Sequence, residues 1–417
     1  MNNIEDWIMN TRDKIFQQIS SYRDILIDLQ SNLTSRPAVA PDAGGQGEYE
    51  KVMWLKDYLS KMGFDSIEEL DAPDERVPQK IRPTLIATIN GKDTSRNIWI
   101  IAHTDVVPAG ELNLWLSDPF QIKVDGDLIF GRGTEDNQQG LASAVLAAKA
   151  IIDNKAVPTY NVKLMFVADE EVGSEYGINY ILAHNESLFN KNDLILVPDV
   201  GDPIGQEIEI AEKSIMWVTC RIIGKQAHGS KPDIGINAAR AAANLIVQVD
   251  GLRYKYCASD KVFGVPTSTI EPTKCSNNVS NMNTIPGEQI VGFDCRILPQ
   301  YDISELLKDF RRICDGIEAS FGVKIEMTEQ QHVQSAPPTK TTDEVYIRLA
   351  QSIEEVTGVK PIPVGIGGGT VAASFRQLGY SVGLWSTLNE KCHSPNECSS
   401  ISNTLKDAKV FADFMLR

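Results

Sequence analysis

The sequence predicts an α/β fold in which a mixed sheet carries helices on both faces, with a smaller α+β domain inserted into the chain. Short, almost continuously apolar runs such as 97–103 and 162–168 are typical of strands buried on both faces. Helical segments such as the alanine-rich stretch 140–153 alternate with these runs, as in α/β sheets. The length of 417 residues also favours two domains over a single core.

The first part of the chain predicts two helices followed by buried strands. Apolar residues such as Ile15 and Ile19 recur at helical spacing within 1–35, and 48–64 predicts a second helix that stops at Gly63. The elements expected next are strands 84–90 and 97–103, helix 140–153, and strands 162–168 and 193–199.

The pattern changes after residue 212 and predicts a self-contained unit. Its elements are strand 215–224, helix 236–250, strands around 267–273 and 288–298, helix 303–317 and strand 323–327. This β-α-β-β-α-β order is ferredoxin-like. The unit closes at the proline-containing stretch 335–340, after which helix 342–358 and strand 381–387 can rejoin the first sheet. We therefore expect an inserted domain at 213–335 and a sheet domain made of 1–212 and 336–417.

Composition argues against two classes of partner. The 40 basic and 56 acidic residues give a net charge of −16, so neither a nucleic-acid partner nor an anionic membrane is expected. The first residues lack the pattern of a signal peptide, and no apolar run approaches the roughly 20 residues that span a bilayer. Seven scattered cysteines are typical of reduced thiols. The sequence thus favours a cytoplasmic protein.

Candidate ligand groups lie where buried strands end. In open α/β sheets, ligands bind outside the carboxyl ends of the strands. A single acid at such a position is more often a solvent-exposed residue, so the prediction depends on the coincidence of several. The candidate residues are His103, Asp105, Asp136, Glu170, Glu171, Asp199 and, after the late strand 381–387, His393.

Two histidines with several carboxylates form a ligand set that suits Zn²⁺, with Co²⁺ or Mn²⁺ as alternatives, better than soft metals. The acids outnumber what one catalytic zinc ordinarily takes. This surplus indicates two ions about 3.5–4 Å apart, bridged by one carboxylate. Such a pair of cations would also offset the repulsion among the consecutive acids Asp169, Glu170 and Glu171.

Several motifs together resemble one family of enzymes. The stretches HTDVVP, GRGTEDNQQG, ADEEVGS and CHSPNE, with the β-α-β-β-α-β insertion, are similar to the M20 family of zinc peptidases and deacylases. That family includes acetylornithine deacetylase, succinyl-diaminopimelate desuccinylase, aminoacylases and glutamate carboxypeptidases. The resemblance implies a phosphorylase/hydrolase-like catalytic domain with two zinc ions. It also implies that the inserted domain is a lid and dimerisation domain, and hence a homodimer.

The resemblance assigns a role to each candidate residue. Asp136 would bridge the two ions, His103 and Asp199 would complete one of them, and Glu171 and His393 would complete the other. Glu170 would be the general base that takes a proton from the metal-activated water, and Asp105 would orient His103. The peptide bond between Asp136 and Asn137 is expected to be cis.

Further residues would contact the substrate. His228 matches the lid histidine that stabilises the oxyanion, often across a subunit interface; a satisfied loop histidine is the alternative. Arg296 could bind a substrate carboxylate, although an ion-pair partner on a sheet surface is the other interpretation. The remaining matches are Asn283 and the residues Gly368, Gly369 and Thr370 of the glycine loop, which could instead be a plain helix entry.

The favoured function is a dinuclear zinc hydrolase that cleaves the amide bond of an N-acyl amino acid, of the acetylornithine deacetylase or succinyl-diaminopimelate desuccinylase type. A dipeptidase or carboxypeptidase acting on short peptides is the alternative, supported by Asp199, since those deacylases carry Glu there. A non-catalytic binding relative is a remote third. The sequence contains no G-x-S-x-G elbow, which would indicate a serine hydrolase, and no HExxH motif, which would indicate a mononuclear zinc protease.

Overall fold

A computed structural model describes residues 2–417, with side chains from residue 11 onward. Met1, at the start of the first predicted helix, lies outside the described residues. The helices are α1 (Asn2–Ser20), α2 (Arg23–Thr34), α3 (Tyr49–Ser60), α4 (Gln138–Asp153), α5 (Ile178–His184), α6 (Ala238–Asp250), α7 (Ile303–Phe321), α8 (Glu344–Thr357), α9 (Val371–Gln377) and α10 (Ile401–Leu416).

The strands are β1 (Ser66–Pro73), β2 (Ile81–Ile89), β3 (Asp93–His103), β4 (Lys123–Asp125), β5 (Leu128–Phe130), β6 (Tyr160–Val167), β7 (Leu194–Asp202), β8 (Glu207–Glu212), β9 (Ser214–Ile223), β10 (Ala227–His228), β11 (Thr269–Asn277), β12 (Thr284–Ile285), β13 (Glu288–Ile297), β14 (Lys324–Val333), β15 (Ile362–Ile366), β16 (Val382–Thr387) and β17 (Cys398–Ser400).

The largest sheet is mixed and has eight strands in the order β1-β2-β6-β3-β7-β16-β8-β15. Its centre is parallel, because β3 runs parallel to both β6 and β7, and β16 runs parallel to β7. Antiparallel pairs flank this centre at β1–β2, β2–β6 and β16–β8. The central strands are almost wholly buried, as their apolar runs predict. The predicted α/β class is confirmed.

The predicted single helix over 1–35 is wrong, because the chain forms two helices that are separated by a turn at Ser21 and Tyr22. The hydroxyl groups of Ser20 and Ser21 donate to the carbonyl oxygens of Phe16 and Gln18. Serine side chains that bond to the backbone in this way compete with continued helix. The Ser-Ser pair therefore marks the point where the helix ends.

A second, four-stranded antiparallel sheet has the order β11-β13-β9-β14. With α6 after β9 and α7 after β13, it forms the predicted ferredoxin-like α+β unit. Residues such as Val218, Leu245, Phe293 and Phe310 build its own apolar core.

The chain divides into two compact units. One contains residues up to 210 together with Thr339–Pro363 and Thr370–Arg417; the other contains Ala211–Pro338 and Val364–Gly369. The domain limits predicted at 212/213 and 335/336, and the roles given to the two parts, stay predictions. Among the described residues, we find no helix with the length and apolar character needed to cross a membrane.

Candidate metal centre

The candidate ligands come from neighbouring strand ends of the first unit. His103 is the last residue of β3, and Glu170 and Glu171 lie in the turn that follows β6. Asp199 lies in the second half of β7. Because β3 is the parallel neighbour of both β6 and β7, the carboxyl ends of these strands meet at one edge of the sheet. The structure thus brings these candidates together.

Asp136 lies between two histidines that are distant in sequence. One carboxylate oxygen, Oδ1, is 2.9 Å from Nε2 of His103, and the other, Oδ2, is 3.1 Å from Nε2 of His393. Each oxygen of this one carboxylate therefore faces a different imidazole. The peptide bond that follows Asp136 is cis, as expected.

The remaining acids extend this arrangement on both sides. Oδ1 of Asp199 is 3.6 Å from Nε2 of His103, and Oε2 of Glu171 is 2.9 Å from Nε2 of His393. Two groups of possible ligand atoms each lie within 4.8 Å of one another, and both contain His103. They are His103, Glu170 and Asp199, and His103, Asp136 and Glu171.

Close packing between α4 and β7 orients Asp199. A Cβ atom on Gly140 would lie 2.3 Å from the carbonyl oxygen of Pro198, so only glycine permits this approach. The side-chain amide of Asn137 can consequently donate to that carbonyl at 2.8 Å, and it also donates to the Asp199 carboxylate. The residue after Asp136 thus fixes a second acid of the centre.

Asp105 connects His103 to the turn that carries the two glutamates. Its carboxylate oxygens accept the backbone N–H groups of Glu170 at 3.1 Å and Glu171 at 3.0 Å. Nδ1 of His103 lies 3.0 Å from the backbone carbonyl oxygen of Asp105 and 3.4 Å from its carboxylate. The histidine is therefore oriented by the main chain of Asp105 at least as much as by its side chain.

The many acidic groups of this centre raise the pKa values of its two histidines. Burial opposes a proton on His103, but the charge of Asp199 and bonds to Asp105 and Asp136 outweigh it and raise the pKa of His103 well above its usual value. Bonds to Asp136 and Glu171 raise the pKa of His393 to about 10. Burial raises the pKa of Glu170 well above its usual value. The surrounding carboxylates thus favour positive charge at both imidazoles.

The donor atoms fit a divalent metal. Oε1 of Glu171 is buried and has no hydrogen-bond partner among the described residues, although a buried carboxylate oxygen ordinarily finds one. Its burial also raises the pKa of Glu171. Carboxylate oxygens and imidazole nitrogens are the ligands of zinc and related ions. A cation at this place would satisfy the unpaired oxygen and offset the buried charge.

Comparison with known proteins identifies the family of this chain. The sequence model of peptidase family M20/M25/M40 matches residues 99–417. The chain belongs to this family. It is accordingly a metallohydrolase that acts on amide or peptide bonds, and the resemblance inferred from the motifs is confirmed.

Similar proteins have different names. An uncharacterized metallohydrolase of Methanococcus maripaludis is 38% identical over 95% of this chain and 100% of its own length. A succinyl-diaminopimelate desuccinylase of Wolbachia pipientis is 25% identical over 93% of this chain and 92% of its own length. The crystal structure of human carnosine dipeptidase 1 shares the fold, with a TM-score of 0.74, 17% identity, and coverage of 97% of this chain and 98% of that one.

The predicted lid residues lie in the second unit. His228 and Asn283 meet there, because β10 pairs with β12 and the backbone N–H of Gly229 donates to the carbonyl of Asn283 at 2.7 Å. The backbone N–H of Ser230 donates to Nδ1 of His228 at 3.2 Å. That bond leaves the proton of a neutral imidazole on Nε2. The exposed His228 can therefore act as a donor through Nε2.

Arg296 is already engaged within the second unit. Its guanidinium makes two bonds to Asp294, at 2.7 and 3.1 Å, and donates to the carbonyl oxygen of Gly367 at 2.8 Å. A substrate carboxylate would have to compete with Asp294 for this group. Within the same glycine loop, Gly368 and Gly369 have no close neighbour that demands glycine, and Thr370 caps α9 through the N–H of Ala372.

Two buried basic side chains near the site were not predicted from the sequence. Arg82, fully buried in β2, pairs with Glu48 and lies 3.1 Å from Asp169, the residue before Glu170. Lys51, also buried, donates to the carbonyl oxygen of Thr104 at 2.9 Å. Asp169 has a left-handed backbone with φ of 67°, which needs such support. No motif marks these two residues, since isolated basic residues are usually on the surface.

Proposed function

We propose that the chain is a dinuclear zinc-dependent hydrolase that cleaves the amide bond of N-acyl amino acids. The observation that carries this proposal is the position of Asp136, whose two carboxylate oxygens face His103 and His393 at 2.9 and 3.1 Å. A carboxylate placed between two imidazoles suits a bridging ligand in a two-metal site. Co²⁺ or Mn²⁺ could replace Zn²⁺ with the same donor atoms.

In this proposal Asp136 would be shared by both ions. His103 and Asp199, whose Nε2 and Oδ1 atoms are 3.6 Å apart, would hold one ion, and Glu171 and His393, whose Oε2 and Nε2 atoms are 2.9 Å apart, would hold the other. Bound divalent ions would lower the pKa of a water molecule towards neutrality and stabilise negative charge on the substrate carbonyl oxygen.

Glu170 is the proposed general base. Its carboxylate belongs to the group formed with His103 and Asp199, while its backbone is fixed by Asp105. Burial raises its pKa, and the positive charge of bound ions would oppose this rise and favour the carboxylate form that a general base requires. Glu170 can thus accept a proton from the attacking water and return it to the leaving amine.

The second unit would complete the site as a lid and as the contact between subunits of a homodimer. His228, with its proton on Nε2, would stabilise the substrate oxyanion. Asn283, whose carbonyl oxygen accepts the N–H of Gly229 next to His228, would contact the substrate, and Arg296 would bind its carboxylate by exchange with Asp294. The glycine loop at Gly368, Gly369 and Thr370 would approach the same carboxylate.

An acyl amino acid is the preferred substrate class because a desuccinylase aligns with this chain over 93% of its length. A dipeptidase or carboxypeptidase activity is the second candidate. The observation that favours it is Asp199, since aspartate rather than glutamate at this ligand position resembles the peptidase and aminoacylase branches, and not the deacetylase and desuccinylase branches. Both reactions use the same ions and the same base, so they differ only in the group that occupies the acyl side.

A substrate panel tests the proposal. The purified protein, loaded with Zn²⁺, Co²⁺ or Mn²⁺, is assayed with N-acetyl and N-succinyl amino acids and with dipeptides, next to Glu170→Gln as the inactive reference. We expect metal-dependent release of the acyl group. Cleavage of dipeptides alone would favour the second candidate. Absence of turnover on every substrate by protein that carries two ions would contradict a hydrolase.

A further inference from the structure

Two buried glutamates that are not candidate ligands connect the loop of Asp136 to the loop of His393. Glu135 directly precedes Asp136, and Glu397 follows His393 by four residues. Their exposures are only 2% and 0%. Since burying two acids is costly unless their oxygens are satisfied, the contacts of these side chains indicate what they hold in place.

Glu135 binds the main chain of the His393 loop. One carboxylate oxygen, Oε1, accepts the backbone N–H of Asn389, and the other, Oε2, accepts that of Lys391. The acid beside Asp136 therefore fixes the backbone two residues before His393.

Glu397 makes the reverse connection. Its Oε1 accepts the backbone N–H groups of Glu135 at 3.0 Å and Asp136 at 3.1 Å, while its Oε2 pairs with Arg132 at 2.5 Å. Its own carbonyl oxygen accepts the N–H of Gly131 at 3.0 Å. The acid on the His393 loop therefore fixes the backbone on which Asp136 stands.

The His393 loop needs this support. The side chain of His393 is 54% exposed, so packing alone does not fix the imidazole. Glu390 and His393 both have left-handed backbones, with φ of 58° and 57°, a conformation that is unfavourable for residues other than glycine. The backbone N–H groups of residues 389 and 391 donate to Glu135, and these two residues lie on either side of Glu390 and shortly before His393.

We propose that Glu135 and Glu397 form a reciprocal brace that holds Asp136 and His393 at metal-binding separation before an ion arrives. Each acid stands beside one ligand and holds the loop of the other. They are positioning residues, which act through backbone N–H groups and not on the substrate. The inference rests on the proposed function, because it assumes that Asp136 and His393 bind metal.

Metal affinity tests the brace. Glu135→Gln keeps the shape of the side chain but turns one of its two acceptors into a donor that faces a backbone N–H. We expect the dissociation constant of one Zn²⁺ ion to rise about 10–100-fold, the range for partners that orient ligands, while the other changes little. Glu390→Gln, which removes the same charge from an exposed residue of the loop, is the matched control and should leave both constants unchanged. Equal affinities for Glu135→Gln and wild type would overturn the proposal.

Hydrogen exchange in metal-free protein gives a readout that does not depend on the metal. At least one of the amides of Asn389 and Lys391 should exchange about 10-fold faster in Glu135→Gln, because glutamine keeps only one of the two acceptors. In Glu397→Gln the loss of the ion pair with Arg132 should speed exchange at Glu135 and Asp136. The Glu397 variant carries the test if the Glu135 variant fails to fold, and unchanged exchange in a folded variant overturns the brace. If the variants show these exchange differences from wild type but the wild-type protein binds fewer than two ions, the brace stands and the proposed function is contradicted.

Discussion

One carboxylate oxygen of Asp105 accepts the backbone N–H of Glu170 at 3.1 Å. The other oxygen accepts the N–H of Glu171, and His103 contacts both the carbonyl and the carboxylate of Asp105. Asp105, which the family resemblance predicts to orient His103, thus also fixes the turn that carries the proposed base. Asp105 therefore helps to orient both the proposed ligand His103 and the proposed base Glu170.

Asp105→Asn should lower kcat about 10–100-fold, since asparagine keeps only one acceptor for the two N–H groups. KM should change little, because Asp105 is buried and cannot touch substrate. Steady-state kinetics with saturating Zn²⁺ measure both constants. Asp125→Asn, on an exposed strand, is the control. Wild-type kcat in Asp105→Asn would rule out this positioning role.

Glu170→Gln should reduce kcat by at least about 10²-fold, the usual contribution of a general base, while the protein still binds two ions. Elemental analysis and kinetics on the same sample measure both quantities. Glu175→Gln, an exposed acid of the same loop, should behave as wild type. Normal turnover in Glu170→Gln would remove Glu170 as the base.

Lys51 predicts a pH effect on stability. Burial lowers its pKa to about 8. The unfolded chain, in which lysine titrates near pH 10.4, therefore holds more protons between these values, and the free energy of unfolding should rise with pH across this range by up to about 3 kcal/mol. Denaturant unfolding of metal-free protein at pH 7.5 and pH 10 measures this rise.

Lys51→Met should lose that rise, whereas Lys61→Met, a change on an exposed side chain, should retain it. Identical pH dependence in wild type and Lys51→Met would show that the buried lysine does not titrate in this range.

A mixing experiment tests the proposed role of His228 across subunits. His228→Ala and Glu170→Gln should each be nearly inactive. If His228 serves the partner's site, hybrid dimers contain one intact site, and full exchange should restore up to about a quarter of wild-type turnover. No recovery after proven subunit exchange would place His228 in the site of its own chain or outside it.

The central strands of the large sheet and the candidate ligands at their ends could be predicted from sequence because each depends on local pattern, whereas β1, β8 and β15 were not predicted. Apolar runs such as 97–103 and 162–168 mark strands that are buried on both faces, and the parallel topology then brings their ends together. The short strands β4, β5 and β17 could not be predicted in this way, since three residues carry no periodicity.

The residues that support the site could not be predicted from the sequence, for a different reason. Glu135 and Glu397 lie within the motifs that carry Asp136 and His393, but they bind backbone N–H groups, which any sequence provides. Arg82 meets Asp169 only after β2 and the turn that follows β6 are in place. Their roles depend on tertiary contacts, not on spacing along the chain.

The location of bound metal tests the proposed dinuclear centre most directly. Crystals soaked with Zn²⁺ and measured at the zinc absorption edge would show the ions by anomalous scattering. We predict two ions per chain that share Asp136, one beside His103 and one beside His393. A single ion, or ions that do not contact Asp136, in protein that is catalytically active would contradict it.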